Sequence, residues 1–463
     1  MTNLSGANLN NGAAVGPKGE GRESPSRFPK YPAYKNSGIE WANELPAHWK
    51  TVALKWVSRI YAGGTPDKNK AYYWENGSIP WLNSGAVNQV LVSEPSNYIT
   101  IEAFNSSSAK WIPAGSLVIA LAGQGKTKGM VAQLAIKTTC NQSMAAIVPD
   151  LPVMSRYLFW WLSSNYQNIR NMAGGDLRDG LNLELIGSIA ALMPTEAEQT
   201  QIARFLDHET ARIDALIEEQ QRLIELLKEK RQAVISHAVT KGLNSTVPMK
   251  DSGVEWLGKV PAHWDVLPVW MLFQMGRGRV ISHDEIAENS GDYPVYSSQT
   301  ERDGVMGSID TYDFEGDYLT WTTDGANAGT VFRRSGKFNC TNVCGTLLPK
   351  RKDDDLRYFV DAVGICTAAF IRHDINPKLM NNVMASIKVP LPPLMEQAAI
   401  AAYVSAFKDK ETVLIQEAFT GISLLQERRS ALISAAVTGK IDVRAWQPPA
   451  STQTPEFEVA EAH

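Results

Sequence analysis

Two stretches of this chain carry apolar side chains at helical spacing over a length that few helices reach. Between residues 196 and 241, Leu206, Ile213, Leu227 and Val234 fall on seven-residue steps, with Ile217 and Ile224 interleaved and Leu216 and Leu223 beside them. The stripe is one heptad seam wide or slightly more. An acidic first turn, Glu196 and Glu198 after Pro194 and Thr195, and a stop at Gly242 predict one helix. Residues 394–438 repeat the pattern with Val404, Ile415, Ile422, Leu425 and Leu432, bounded by Pro392, Pro393 and Gly439. A single apolar stripe is ordinarily the core face of one domain. A helix of about 45 residues, however, is roughly 65 Å long, more than a compact domain covers, so its seam needs an equally long partner. The other copy supplies it, and antiparallel pairing makes the two a coiled coil.

The stretches before each helix have the short apolar runs and glycine punctuation of strands. SLVIALAG at 116–123 with MVAQLAI at 130–136 predicts one hairpin, and DYLTWTTDG at 317–325 with GTVFRR at 329–334 predicts its counterpart. Their tips differ in chemistry: Gln124, Lys126, Thr127 and Lys128 in the first, Asp324 and Asn327 in the second, with Arg333 and Arg334 following.

The chain is written twice. SGIEW at 37–41 and SGVEW at 252–256, like PAHW at 46–49 and 261–264, lie 215 residues apart. EQTQI at 198–202 and EQAAI at 396–400, like AVISHAVT at 233–240 and ALISAAVT at 431–438, lie 198 apart. Gly125, Gly129, Cys140 and Pro149 align with Gly325, Gly329, Cys340 and Pro349 at an offset of 200. Similar ends thus enclose divergent centres, the mark of internal duplication. The expected fold class is α/β (α+β): two mixed α/β heads separated by two long antiparallel coiled-coil helices in a pseudo-two-fold repeat. The expected boundaries are a flexible leader at 1–33, a head at 34–195, a spacer helix at 196–245, a second head at 246–392, a second spacer helix at 393–442 and a flexible tail at 443–463. Antiparallel pairing would put the heads at opposite ends of a rod, which acts as a ruler.

Composition narrows the function classes. At 463 residues, 44% hydrophobic and 20% charged, the chain has the profile of a globular protein with more than one domain. Its net charge of −4 lacks the basic excess of a generic nucleic-acid binder, so any DNA footprint must be local. Cys140, Cys340, Cys344 and Cys366 form no C-x-x-C pair and suggest neither zinc nor a disulfide framework. No long apolar span or signal-peptide order is present, and a cytoplasmic location is expected. GKT at 125–127 resembles the end of a P-loop, but Ala120 stands where the first Gly belongs, a strand follows it, and the aligned DGANAG lacks Lys and Thr. No G-x-S-x-G, H-E-x-x-H or dinucleotide fingerprint occurs, so no catalytic residue, metal ligand or cofactor is expected. His48 and His263, inside the repeated PAHW, read as structural capping groups. The run Asp353, Asp354, Asp355 reads as a solvated turn.

The order SG(I/V)EW, PAHW, divergent centre, P-x-x-E-Q-x-x-I opening a long helix, and a V-T-(K/G)-(G/K) close resembles the specificity subunits of type I restriction-modification systems, from about Tyr34 to Asp442. DGANAGTVF at 324–332 and GKFNCTNVCG at 336–345 look like one recurrent type of target-recognition domain in that family, and GGTP at 63–66 with AGQGKTKG at 122–129 like another. The resemblance implies a non-catalytic subunit whose heads each read half of a split, asymmetric target in double-stranded DNA. It also implies two adenine methyltransferase subunits docked on the rod and restriction subunits in the full complex, with methylation and cleavage residing in those partners. Amide side chains pair bidentately with adenine, and Arg or Lys with guanine. The candidate base contacts near the hairpins are therefore Gln124, Lys126, Lys128, Asn141 and Gln142 in the first head. In the second they are Gln299, Arg302, Asn327, Arg333, Arg334, Lys337 and Asn342. The competing reading is a duplicated coiled-coil scaffold that binds proteins and no DNA.

Overall fold

The computed structural model describes residues 28–39, 42–123, 126–172, 180–371 and 377–449. Residues 1–27 of the expected leader at 1–33, residues 450–463 of the expected tail at 443–463 and the tip residue Gln124 lie outside the described residues. The chain divides into two compact units, one of residues 1–217 and 423–463, the other of residues 218–422.

In the first unit a five-stranded sheet is built from β1 (Ser58–Ala62), β2 (Leu91–Val92), β3 (Leu117–Ala120), β4 (Val131–Leu134) and β5 (Met144–Pro149), in the order β1-β5-β3-β4-β2. β3 and β4 form the antiparallel hairpin, with Ile119 opposite Val131. Side chains alternate across a strand, yet β3 reads as an unbroken apolar run, because both faces of the sheet are covered. Leu117 and Ile119 join the core under helix α1 (Met154–Ser164), with Tyr157, Leu158 and Trp161. Val118 and Ala120 face a second core with Leu82, Val92 and Ile112. A smaller sheet orders Thr139–Cys140, Ile79–Leu82 and Asn97–Ile99.

The second unit carries an antiparallel sheet of β6 (Phe273–Arg277), β7 (Tyr318–Thr322), β8 (Val331–Arg334) and β9 (Cys344–Pro349), in the order β6-β9-β7-β8. β7 and β8 are the second hairpin, with Thr320 opposite Phe332. Helix α3 (Leu356–Ala368) packs on it through Phe359, Ala362 and Val363. Its smaller sheet orders Val305–Ile309, Ser290–Tyr296, Lys337–Cys340 and Phe314–Glu315.

The two long elements are α2 (Glu196–Lys241) and α4 (Leu394–Val437). Thr195 and Glu198 form a capping box that starts α2: Thr195 N–H donates to Glu198 Oε2 at 3.1 Å, and Glu198 N–H donates back to Thr195 Oγ1 at 3.4 Å. Gly242 and Gly439, at φ +77° and +70°, take the left-handed conformation that ends each helix. In the first unit Leu206, Ile213 and Leu432 are buried, while Ile217 and Leu425 pack half-buried against the same core. There Gln201 bonds to the Val443 carbonyl and Asp214 to Arg429, so the helical segments run antiparallel. In the second unit Ile224, Val404 and Ile422 are buried, and Leu227, Val234 and Ile415 are half-buried. There Arg231 bonds to Glu411, and Ile235, Ala238 and Val239 share a core with Ile400 and Val404, again antiparallel.

Candidate nucleic-acid interface

Each head is fastened to the first turn of its own helix by the same atoms. His48 Nε2 lies 2.8 Å and Trp49 Nε1 3.4 Å from Glu198 Oε1. His263 Nε2 lies 2.6 Å from Glu396 Oε1, and Trp264 Nε1 donates to Glu396 Oε2 at 2.9 Å. The glutamine that follows donates to a proline carbonyl in both copies, Gln199 to Pro194 and Gln397 to Pro392, each at 3.0 Å. The repeated PAHW and EQ motifs are therefore two sides of one joint. Burial alone would raise the Glu198 carboxyl pKa, but hydrogen bonds from His48, Thr195 and Trp49 outweigh it and hold the carboxyl below its ordinary range. Tyr157 and Tyr358 complete the match: Tyr157 OH bonds the Leu192 carbonyl at 2.6 Å near that of Val437, and Tyr358 OH bonds Pro390 at 3.0 Å near Val239.

The loops converge elsewhere, at one end of each smaller sheet. In the first head Thr139–Cys140 runs parallel to Trp81–Leu82, and Asn141 N–H donates to the Leu82 carbonyl at 2.9 Å, so both strands leave the sheet at the same end. The loop after Leu82 and the turn 141–143 are thus neighbours. The GGTP loop joins them: Gly64 N–H donates to the Cys140 carbonyl at 2.8 Å, and a Cβ on Gly63 would stand 2.0 Å from that oxygen, so only glycine fits. The hairpin tip begins beside them, with Leu121 N–H on the Ser143 carbonyl at 2.8 Å.

The second head repeats this layout from different residues. Val295–Tyr296 runs parallel to Asn339–Cys340, and Thr341 N–H donates to the Tyr296 carbonyl at 2.8 Å. A Cβ on Gly278 would stand 2.1 Å from the Cys340 carbonyl, which accepts from Arg279 N–H at 3.1 Å. The second tip begins with Thr323 N–H on the Val343 carbonyl at 2.9 Å.

Around the first convergence Gln142 is exposed and accepts a hydrogen bond from the Thr65 hydroxyl. Lys126 is exposed at the tip, where its carbonyl accepts from Tyr166 OH at 2.5 Å. Asn141 is half-buried and turns its Oδ1 to Ser143 N–H at 3.1 Å, while Lys128 is buried and its carbonyl accepts from Arg170 at 3.3 Å. Around the second, Asn342 and Arg302 are exposed, Asn327 is exposed on the tip, and Gln299 is half-buried with its amide on the Val305 carbonyl. Arg333, Arg334 and Lys337 have their backbones toward the other ends of their strands, and of the three the Arg334 side chain reaches back to the turn after Tyr296. Arg333 faces Asp317 at 3.5 Å, and Lys337 lies 4.0 Å from Glu315 and over the Tyr312 ring. Arg334 is buried against Tyr296 and Phe332 and bonds Asp303 at 2.5 Å.

Three exposed groups at these loops carried no sequence signal of their own: Asn83 and Asn88 in the first head, whose amides brace their loop through Gly85, and Arg277 in the second, which donates to the Asn342 carbonyl at 2.6 Å. Only the parallel strand pairing identifies the loop after Leu82 as a neighbour of Gln142. The GKT segment links two antiparallel strands, and its Gly125 is outside the described residues. The acid run is not a solvated turn throughout, because Asp354 is buried and Asp355 caps α3 by accepting from Arg357 N–H. Among the described residues no group of three His, Cys, Asp or Glu side chains is placed to hold a metal, and no helix is long and apolar enough to cross a membrane.

Comparison with known proteins adds a second line of observation. The model of the type I restriction modification DNA specificity domain matches residues 46–227 and again 261–418. The chain is 42% identical over 137 residues to the type I restriction enzyme MpnII specificity subunit of Mycoplasma pneumoniae, 29% of this chain and 41% of that one. It is 31% identical over 208 residues to the EcoR124I/EcoR124II specificity subunit of Escherichia coli, 44% of this chain and 50% of that one. The matches therefore span half or less of these relatives. Among solved structures, the HsdS subunit from Thermoanaerobacter tengcongensis superposes with a TM-score of 0.53 at 12% identity, over 86% of this chain and 98% of that one. A chain from a study of complex assembly in the type I R-M system superposes with a TM-score of 0.66 at 15% identity, over 85% and 98%.

Proposed function

The chain belongs to the type I restriction modification DNA specificity family, and from that premise we propose that it is a non-catalytic sequence-specificity subunit reading a split, asymmetric target in double-stranded DNA. The heads at 34–195 and 246–392 each read one half, while the helical spacers at 196–245 and 393–442 set the gap and dock two adenine methyltransferase subunits. Restriction subunits complete the assembly, in the cytoplasm, and the chemistry of methylation and cleavage stays with the partners.

The observation that carries this reading is the convergence of matching loops at the end of each smaller sheet, where Gln142 and Asn342 occupy equivalent turns and are both exposed. Amides there can meet base edges, and the loops around them differ between heads, as an asymmetric target requires. The local supply of Lys126, Arg277 and Arg302 suits a footprint that net charge does not advertise.

The test is to purify the chain with the methyltransferase encoded beside it and to map methylation on DNA exposed to the complex. A single bipartite adenine motif whose one half changes when residues 50–190 are exchanged is expected. No complex, or methylation indifferent to the chain, would put the protein-binding scaffold ahead.

A further inference from the structure

Resting on the specificity reading, we infer that Arg302 reads a guanine in the half-site of the second head, and that Asp303 and Arg334 are the mount that positions it. The turn 297–304 leaves the smaller sheet at Tyr296, beside Thr341, and so belongs to the convergence that carries Asn342. Within it Arg302, Asp303 and Gly304 stand consecutively in the left-handed region, at φ +49°, +56° and +79°. Arginine and aspartate adopt that backbone at a cost, and such strain persists only where neighbours over-determine it.

Arg334 is the neighbour that does so. Its guanidinium is buried, 3.7 Å from the Tyr296 ring centroid and 4.4 Å from that of Phe332, and it donates to Thr320 Oγ1 at 3.3 Å and to Asp303 Oδ2 at 2.5 Å. Asp303 itself is 70% exposed, so the pair is anchored entirely from the Arg334 side. A Cβ on Gly304 would stand 3.0 Å from the Gln299 carbonyl and 3.2 Å from Arg334 Nη2, which leaves the turn little room to relax.

What the mount holds is a guanidinium with nothing to do inside the protein. Among the described residues of this head, Arg277, Arg279, Arg333, Arg334, Arg351 and Arg357 each have a polar partner, and Arg302 has none. A free, planar fork at a base-reading edge matches O6 and N7 of guanine bidentately; the same fork can grip a phosphate, and it is discrimination between bases that separates the two contacts. The corresponding loop of the first head offers Asn83 and Asn88 instead, so the two heads differ at this position in the base they can meet.

Methylation mapping with the full-length chain in complex with its methyltransferase tests this. Arg302→Ala is expected to turn one guanine of the second half-motif into any base, with discrimination there falling roughly tenfold or more and the first half unchanged. Arg302→Lys, which keeps the charge and loses the planar fork, should discriminate less well there than arginine does. Asp303→Asn, at an exposed carboxylate that leaves Arg302 in place, should relax the same position partially and no other. An unchanged motif in Arg302→Ala overturns the inference, and so does a loss of methylation that is uniform across sequences and leaves the motif's preferences intact, which would mark a phosphate contact. A wild-type complex that yields no bipartite motif would instead overturn the specificity reading, and this inference with it.

Discussion

Trp49 and Trp264, 215 residues apart, both donate an indole N–H to the first-turn glutamate of the long helix that follows. Gln142 and Asn342 occupy matching turns 200 residues apart, yet one is met by Thr65 and the other is approached by Arg277. The joint repeats and the loops do not. Fastening a head to a helix is one physical problem with one good solution, a first-turn carboxylate that accepts from a histidine and an indole, so the two copies keep the same groups although Glu198 is 5% and Glu396 41% exposed. Loops on a rigid sheet can change their side chains without disturbing the core beneath, which is where differences between heads are cheapest to hold.

The comparison is broken most severely at the indoles. Both Trp49 and Trp264 are fully buried, and either substitution by alanine should cost about 3–5 kcal/mol. Denaturant unfolding followed by circular dichroism would show two similar losses; a much smaller loss at one would mean that the joints are not equivalent.

Next come the cross-helix ion pairs, where the repeat is imperfect. Arg231 and Arg429 are related by the 198-residue offset, and so are Ile213 and Glu411. In the second unit Arg231 therefore meets a seam carboxylate, Glu411, which is 2% exposed and whose other oxygen has no hydrogen-bond partner among the described residues. In the first unit Arg429 finds isoleucine at that seam position and reaches instead to Asp214, which is 52% exposed. Arg231→Ala should cost about 3 kcal/mol by stranding a buried charge, and Arg429→Ala less than about 1 kcal/mol. Glu411→Ile, which copies Ile213, should raise thermal stability. Equal losses for the two arginines would remove the asymmetry.

The Glu198 joint should show itself in acid. A carboxyl with a folded pKa below its unfolded value of about 4.5 contributes stability that is complete above that value and lost as pH falls through the folded pKa. Stability measured from pH 6 down to about pH 3 should fall more steeply in the natural chain than in Glu198→Gln, and parallel slopes would deny the carboxylate its role. The smallest effect belongs to the exposed tip: Lys126→Ala should change stability by less than about 0.5 kcal/mol while weakening DNA binding at all sequences alike and lowering its salt dependence.

Much of this architecture was legible in the residue pattern. Heptad spacing announced α2 and α4, short apolar runs joined by glycine-bearing tips announced both hairpins, and the repeat offsets announced two related heads. Less legible was which polar side chains the fold encloses. Arg333 and Arg334 are adjacent and chemically identical, yet one is exposed and the other is buried between aromatic rings contributed by Tyr296 and Phe332. Lys126 and Lys128 divide in the same way. Thr210, Glu411 and Ala418 are buried along the helices without being large and apolar, so hydropathy passed over them.

The sequence by itself determined the periodicities, the duplication and the glycines that stop the two long helices, because these depend on a residue and its near neighbours along the chain. Only the tertiary structure decided that His48 and Glu198, 150 residues apart, are one joint, that Asn83 and Gln142 border the same surface, and that Arg302 is free while Arg334 is not. Those outcomes rest on strand pairing and desolvation, which are set by residues distant in sequence and appear only when the chain closes on itself.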